Sequence, residues 1–223
     1  MNIFNLIKGI KVTHFKAGFC HKEQLPVGTK IVKTNTEFLA PRKIDNRDML
    51  LMSSNQGNTP HCAGYATAGY IEFQNWKHLH YPRQVDGDEI YRQAKTIDWI
   101  KSEGTTLSSA IKGAIQLGFI KGELKAIKKT RIAIKFAIHQ YGVVVSAFDI
   151  TDEWNYVNGK TGMLNILDGE AEDLGGHAVL LCGYDKDGVY IQNSWGENWG
   201  VHGFAIVPWE LFDKQFYSGR VIG

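Results

Sequence analysis

Residues 55–71 read Asn-Gln-Gly-Asn-Thr-Pro-His-Cys-Ala-Gly-Tyr-Ala-Thr-Ala-Gly-Tyr-Ile, and they constrain this chain more than any other stretch. A polar turn carrying Gly57 and Pro60 gives way at Cys62 to an apolar run, which predicts a helix with the thiol near its N-terminus. There the helix dipole and the unpaired N–H groups favour a thiolate. Small residues (Ala63, Gly64, Ala66, Ala68, Gly69) mixed with large ones (Tyr65, Tyr70, Phe73, Trp76) are what a central helix packed closely on several sides requires. Gln56, six positions upstream of Cys62, can bring a neutral N–H donor back across the turn toward an oxygen held near the thiol. A nucleophile and an oxyanion donor make half a catalytic site, and a histidine base with a group to orient it would complete one. The bland alternative for Cys62 is an inert buried thiol, the usual state of a free cysteine.

The second half of the chain offers the missing groups. Gly175-Gly176-His177-Ala178-Val179-Leu180-Leu181 puts a histidine at the start of a buried strand, where its ring can look out of the sheet toward a facing helix. Asn193-Ser194-Trp195-Gly196 follows the next strand, so adjacent strands can bring Asn193 to His177. The carboxamide oxygen would accept the proton on one imidazole nitrogen and turn the other toward the thiol. Trp195 and Trp199 can roof that bond against water.

Elsewhere the pattern is coarser. Alternation over 7–15 and 30–38 predicts short strands, apolar spacing over 88–100 and 106–117 predicts two helices, and 123–140 reads as a third helix. Lys121, Lys125, Lys128, Lys129, Arg131 and Lys135 then form a solvated basic face, since no aromatic stacking platform accompanies them. From 143 onward the chain turns to strand, at 143–147, 177–181, 188–192 and 203–207, around an irregular excursion over 149–173. Helices first and sheet second predict an α+β chain of two subdomains, the later half an antiparallel sheet curling into a barrel-like form.

Composition removes several classes of function. A net charge of +2 on 223 residues gives no case for nucleic acid or an acidic membrane, and no apolar run reaches bilayer length. Three cysteines, Cys20, Cys62 and Cys182, cannot build a disulfide framework and suggest a reducing compartment. With no signal-peptide pattern at the N-terminus, the expected location is the cytoplasm. Cys182 reads as core, and His78 with His80 lacks a spaced acidic or sulfur partner for a zinc site.

Taken together, Gln56-Gly57 with Cys62, Gly176-His177-Ala178 with Gly183-Tyr184, and Asn193-Ser194-Trp195-Gly196 with Trp199-Gly200 and Gly203-Phe204 resemble the papain-like cysteine peptidases, all in family order. The resemblance runs over about 41–223 and implies a helical half (about 56–140) and a β half (about 141–223) with the active-site cleft between them; residues 1–40 are an N-terminal extension expected to pack on the domain as a short pro-like or cleft-covering segment. It implies Cys62 as nucleophile, stored as a thiolate opposite His177 imidazolium, a state in which papain's thiol has a pKa of about 3–4. Gln56 and the Cys62 N–H would form the oxyanion hole, Asn193 would orient His177, and Ala178, Trp195 and His61 would meet substrate. His61 has a plainer reading as a solvent-facing turn residue. The implied reaction is peptide hydrolysis through a thioester, with endopeptidase action on a polypeptide, no cofactor or metal, and a monomer favoured. A thiol-dependent acyl transferase, transamidase or leader-processing enzyme is the alternative, and a non-catalytic binding module a further one. Thr59-Pro60-His61-Cys62-Ala63 departs from the family's Cys-Gly-Ser-Cys-Trp, which fits a short, disulfide-poor microbial or viral-type member.

Overall fold

The computed structural model describes residues 20–35, 37–81, 83–167 and 169–223; the strand expected over 7–15 lies outside them. Helix α1 (Cys62–Leu79) starts at the thiol, and its first twelve residues are almost all buried. Its small side chains serve the purpose the sequence suggested. A Cβ on Gly64 would stand 2.2 Å from the Gly87 carbonyl oxygen, and one on Gly87 would stand 2.7 Å from the Tyr65 ring. Two glycines thus let α1 and α2 (Gly87–Ile97) meet backbone to backbone. Helix α2 begins at Asp86, whose side chain accepts from the Asp88 N–H, and α3 (Leu107–Gln116) begins at Thr106, which caps Ser109 N–H in the same way.

Against this helical layer lies one mixed sheet: β1 (Lys30–Ile31), β2 (Ile44–Asp45), β3 (Leu124–Ile127), β4 (Val144–Thr151), β5 (Asp173–Tyr184), β6 (Gly188–Gln192), β7 (Phe204–Pro208) and β8 (Phe216–Ile222). The order is β1-β3-β8-β4-β5-β6-β7, with β2 paired to β5 off that path. Every pairing is antiparallel except β1 with β3. The sheet is open, so the barrel-like expectation is corrected. The last strand returns between β3 and β4, and β1 and β3 extend that side further, so the sheet widens instead of closing on itself.

The third predicted helix is also corrected. Residues 124–127 form β3, paired to β8, and only α4 (Arg131–Tyr141) is helical, started by Thr130, whose hydroxyl accepts from Ala133 N–H. The ladder with β8 satisfies the β3 backbone and overrides the helical spacing of Leu124 and Ile127. The lysines of that stretch are thereby divided among a strand, a turn and a helix. Within the 149–173 excursion, β4 continues to Thr151 and a short 3-10 turn (Asp152–Asn155) drives Trp154 into the core. Chain closure comes from α5 (Trp209–Gln215), whose Gln215 Oε1 accepts from Trp154 Nε1 at 2.7 Å.

The α1–α2 contact makes a test. Gly64→Ala should cost about 1–3 kcal/mol, because the added methyl meets a backbone carbonyl that cannot rotate away. Urea unfolding measures it, and an unchanged midpoint would mean that the helices are not held this closely.

Candidate active site

Cys62 occupies the first turn of α1, after His61 at the cap position, and is fully buried. Backbone N–H groups of Ala178, Ala63 and Cys62 itself face its sulfur and favour the thiolate, yet burial outweighs them and pushes the thiol up to about 12. Since Ala178 follows His177 on β5, that amide brings the sulfur to the edge of the strand that bears the histidine.

His177 is held on several sides. Its Nε2–H donates to Asn193 Oδ1 at 2.7 Å. Trp195 stacks on the ring at 4.8 Å between centroids, Trp154 meets it edge-on at 6.0 Å, and Trp199 stands edge-on to Trp195. The other ring nitrogen, Nδ1, is buried without a hydrogen-bond partner among the described residues, which leaves its lone pair available as a base. Burial lowers the His177 pKa to about 4 against the pull of the Asn193 bond.

Ser194 joins this pair to Gln56. Its N–H donates to the same Asn193 Oδ1 at 2.8 Å, and its hydroxyl donates to Gln56 Oε1 at 2.5 Å. With Oε1 engaged, the Gln56 amide presents its N–H groups, one of which goes to the Thr59 carbonyl at 2.6 Å. The second is a donor in the turn that opens α1. Sequence reasoning passed over Ser194, although a hydroxyl next to the orienting carboxamide was a readable signal.

The remaining expected site residues fall as follows. Ala178 is fully buried and offers Cys62 its amide. Trp195 packs on His177 and also lines a surface hollow with Ser53, Asn55 and Glu197. His61 is tethered, its Nδ1 2.7 Å from Asp88 Oδ1 and its ring stacked on Tyr91 at 3.8 Å, so it ties the head of α1 to α2. Among the described residues no group of three His, Cys, Asp or Glu could hold a metal ion. Cys182 is buried in β5, and the three cysteines are free thiols.

The N-terminal stretch enters this region. Cys20 N–H donates to the Gly176 carbonyl at 3.1 Å, one residue before His177, and His21 N–H donates to Thr105 O at 3.0 Å. Any side chain on Gly176 would collide with the Cys20 carbonyl, since a Cβ there would lie 2.3 Å from it. Tyr217 Oη donates to that carbonyl at 2.5 Å. An extended chain is therefore laid between the edge of β5 and the entry to α3, beside the histidine.

A thiol at a helix head, an imidazole at a strand edge and a carboxamide behind the imidazole make up a Cys-His-Asn set. The chain belongs to the papain family of cysteine proteases, whose family model matches residues 62–210. Human cathepsin O is 36% identical over 75 residues, 32% of this chain and 22% of cathepsin O. A peptidase C1-like protein of Acanthamoeba polyphaga mimivirus is 34% identical over 53 residues, 23% of this chain and 17% of the viral protein. The match thus spans only about a fifth of these curated relatives. Among solved structures, xylellain, a cysteine protease from Xylella fastidiosa, superposes with a TM-score of 0.78 at 18% identity over 94% of this chain and 97% of its own. A cathepsin B proenzyme from Trypanosoma congolense gives 0.71 at 13% identity over 93% and 86%. At such identities these two likenesses speak for the fold.

The thiolate–imidazolium expectation meets a physical objection, because burial here favours the neutral form of each partner. A histidine whose folded pKa lies below the unfolded value of about 6.5 adds stability above that pH. The contribution, about 3 kcal/mol, is lost as pH falls from 6.5 toward 4. NMR titration of the His177 ring in the full chain should give a midpoint near 4. A midpoint at or above the ordinary value of about 6.5 would mean that burial does not hold the ring neutral.

Proposed function

We propose that this chain hydrolyses internal peptide bonds of polypeptides, with Cys62 as nucleophile, His177 as base and acid, Asn193 as the group that orients His177, and Gln56 as oxyanion donor. The observation that carries the reading is the continuous hydrogen-bond chain from His177 through Asn193 and Ser194 to Gln56, set beside the helix-head thiol. His177 Nδ1 removes the thiol proton, the sulfur attacks the carbonyl carbon, and the oxyanion takes N–H groups from Gln56 and Cys62. His177 then protonates the leaving amine, and water activated by the same ring cleaves the thioester. An extended segment already lying along Gly176 and Thr105 supports a cleft that accepts polypeptide, and the hollow lined by Trp195, Ser53, Asn55 and Glu197 supports contact with the departing side of a substrate.

Peptide hydrolysis should vanish in Cys62→Ala. Gln56→Ala should lower kcat by about 100- to 1000-fold with little change in KM, since its donor acts on the charge that develops in the transition state. A Gln56 variant with full kcat would remove it from the oxyanion hole.

The stretch containing Cys20 is the cover in this reading. Its departure admits water to both partners and lifts the burial effect on each, so the ion pair forms in the open cleft. Removing residues 1–40 should therefore speed iodoacetamide labelling of Cys62 at mildly acidic pH by about tenfold or more. Equal labelling with and without the segment would refute the cover.

A further inference from the structure

Three residues beyond Cys20, the Glu23 carboxylate enters a pocket of its own. Its Oε1 accepts from Ser108 N–H at 3.0 Å, from the Ser108 hydroxyl at 2.6 Å and from Arg220 Nη2 at 3.0 Å. Arg220 is 3% exposed on β8 and is fixed from behind, its Nη1 donating to the Gly219 carbonyl at 2.9 Å and its Nε to Ser108 Oγ at 3.4 Å. Ser108 lies in the first turn of α3, so the helix dipole adds to the guanidinium charge. The receptor atoms belong to β8 and α3, whereas the carboxylate arrives on the segment that hydrogen-bonds to Gly176 and Thr105. A three-residue extended reach spans about 10 Å, which puts this pocket within that distance of the chain passing His177.

We propose that the Arg220–Ser108 pocket selects an acidic side chain, Asp or Glu, of the polypeptide substrate, and that Glu23 is its internal occupant. The inference rests on the hydrolase reading and names the substrate class for that site. A guanidinium buried to this degree demands a counter-charge, and losing Glu23 without replacement would leave it uncompensated. An extended substrate that displaces the segment follows the same channel between β5 and α3. The side chain it lays over Ser108 meets three convergent donors, which favour a carboxylate over a carboxamide of the same shape.

The test compares fluorogenic peptides identical except for Glu or Gln at each of the second, third and fourth positions on the acyl side of the scissile bond. They are assayed with the full chain and with its Glu23→Gln variant. At one of these positions Glu should exceed Gln in kcat/KM by about tenfold or more, in both proteins and at higher absolute rates in the variant. Glu23→Gln with Arg220→Gln should keep cleavage and lose the preference. Because the main comparison is made within one enzyme, it stands even where an Arg220 variant fails to fold. Brisk cleavage with equal rates for Glu and Gln at every position overturns the pocket and leaves the hydrolase reading intact. No cleavage of any peptide by either protein overturns both.

Discussion

The site depends on a zipper between two irregular stretches, 51–56 and 192–196. Gln56 N–H donates to Ser194 O at 2.9 Å, Gly196 N–H to Ser54 O at 3.1 Å, and Gln192 Nε2 to Leu51 O at 2.7 Å. Ser53 adds its hydroxyl to the Asn193 carbonyl, and Asn55 and Trp195 form a bridge pair. These bonds join the turn that opens α1 to the loop that leaves β6, so Gln56 and the Asn193 carboxamide behind His177 are parts of one unit. The β5–β6 ladder then carries His177 to the same place, with Leu180 opposite Gln192. Little of this geometry is left to side-chain rotamers, and both carboxamides are locked by Ser194.

Locking the groups also dries them. Trp154, Trp195 and Trp199 around His177, and the helix–sheet contact around Cys62, exclude the water that would stabilise either charge. Three amides pull the sulfur toward the thiolate and Asn193 pulls the ring toward imidazolium, but neither pull matches the burial that opposes it. The same framework thus offers donors and acceptors suited to a charged pair, while burial favours the neutral form of each member. In the proposed mechanism the transfer of a proton from sulfur to nitrogen turns on how much water reaches the two groups.

Local features were legible in the sequence and distant pairings were not. The helix beginning at Cys62, the strands of His177 and the 188–192 stretch, and the approach of Asn193 to His177 follow from short-range patterns: a polar turn before small apolar residues, and apolar runs separated by a tight turn at 185–187. The failures are all long-range. Residues 124–127 have helical spacing and become strand because β8, almost a hundred residues later, supplies their ladder. The barrel-like expectation failed because the place of β8, between β3 and β4, has no local signature. Arg220 did have one, as a lone charge in the otherwise mostly apolar run Phe216–Ile222. A buried guanidinium has to be answered by a carboxylate, but which one is a question of the folded chain.

That answer ties the segment at 20–23 to β8 and α3. Glu23 pairs with Arg220 at side-chain exposures of 13% and 4%, while three residues earlier the same segment hydrogen-bonds to Gly176 beside His177. Backbone bonds like the latter can be replaced by water when the segment lifts, so their loss costs little. The ion pair is different, since withdrawing one partner strands the other in a low-dielectric site. The proposed cover is therefore held less by its backbone bonds to Gly176 and Thr105 than by a charge within about 10 Å of them. An incoming chain that brings a carboxylate exchanges one occupant for another at Arg220, whereas a chain without one has to leave the arginine uncompensated. Under the two proposals together, the group that selects the substrate also sets how readily the thiol and imidazole are exposed to water.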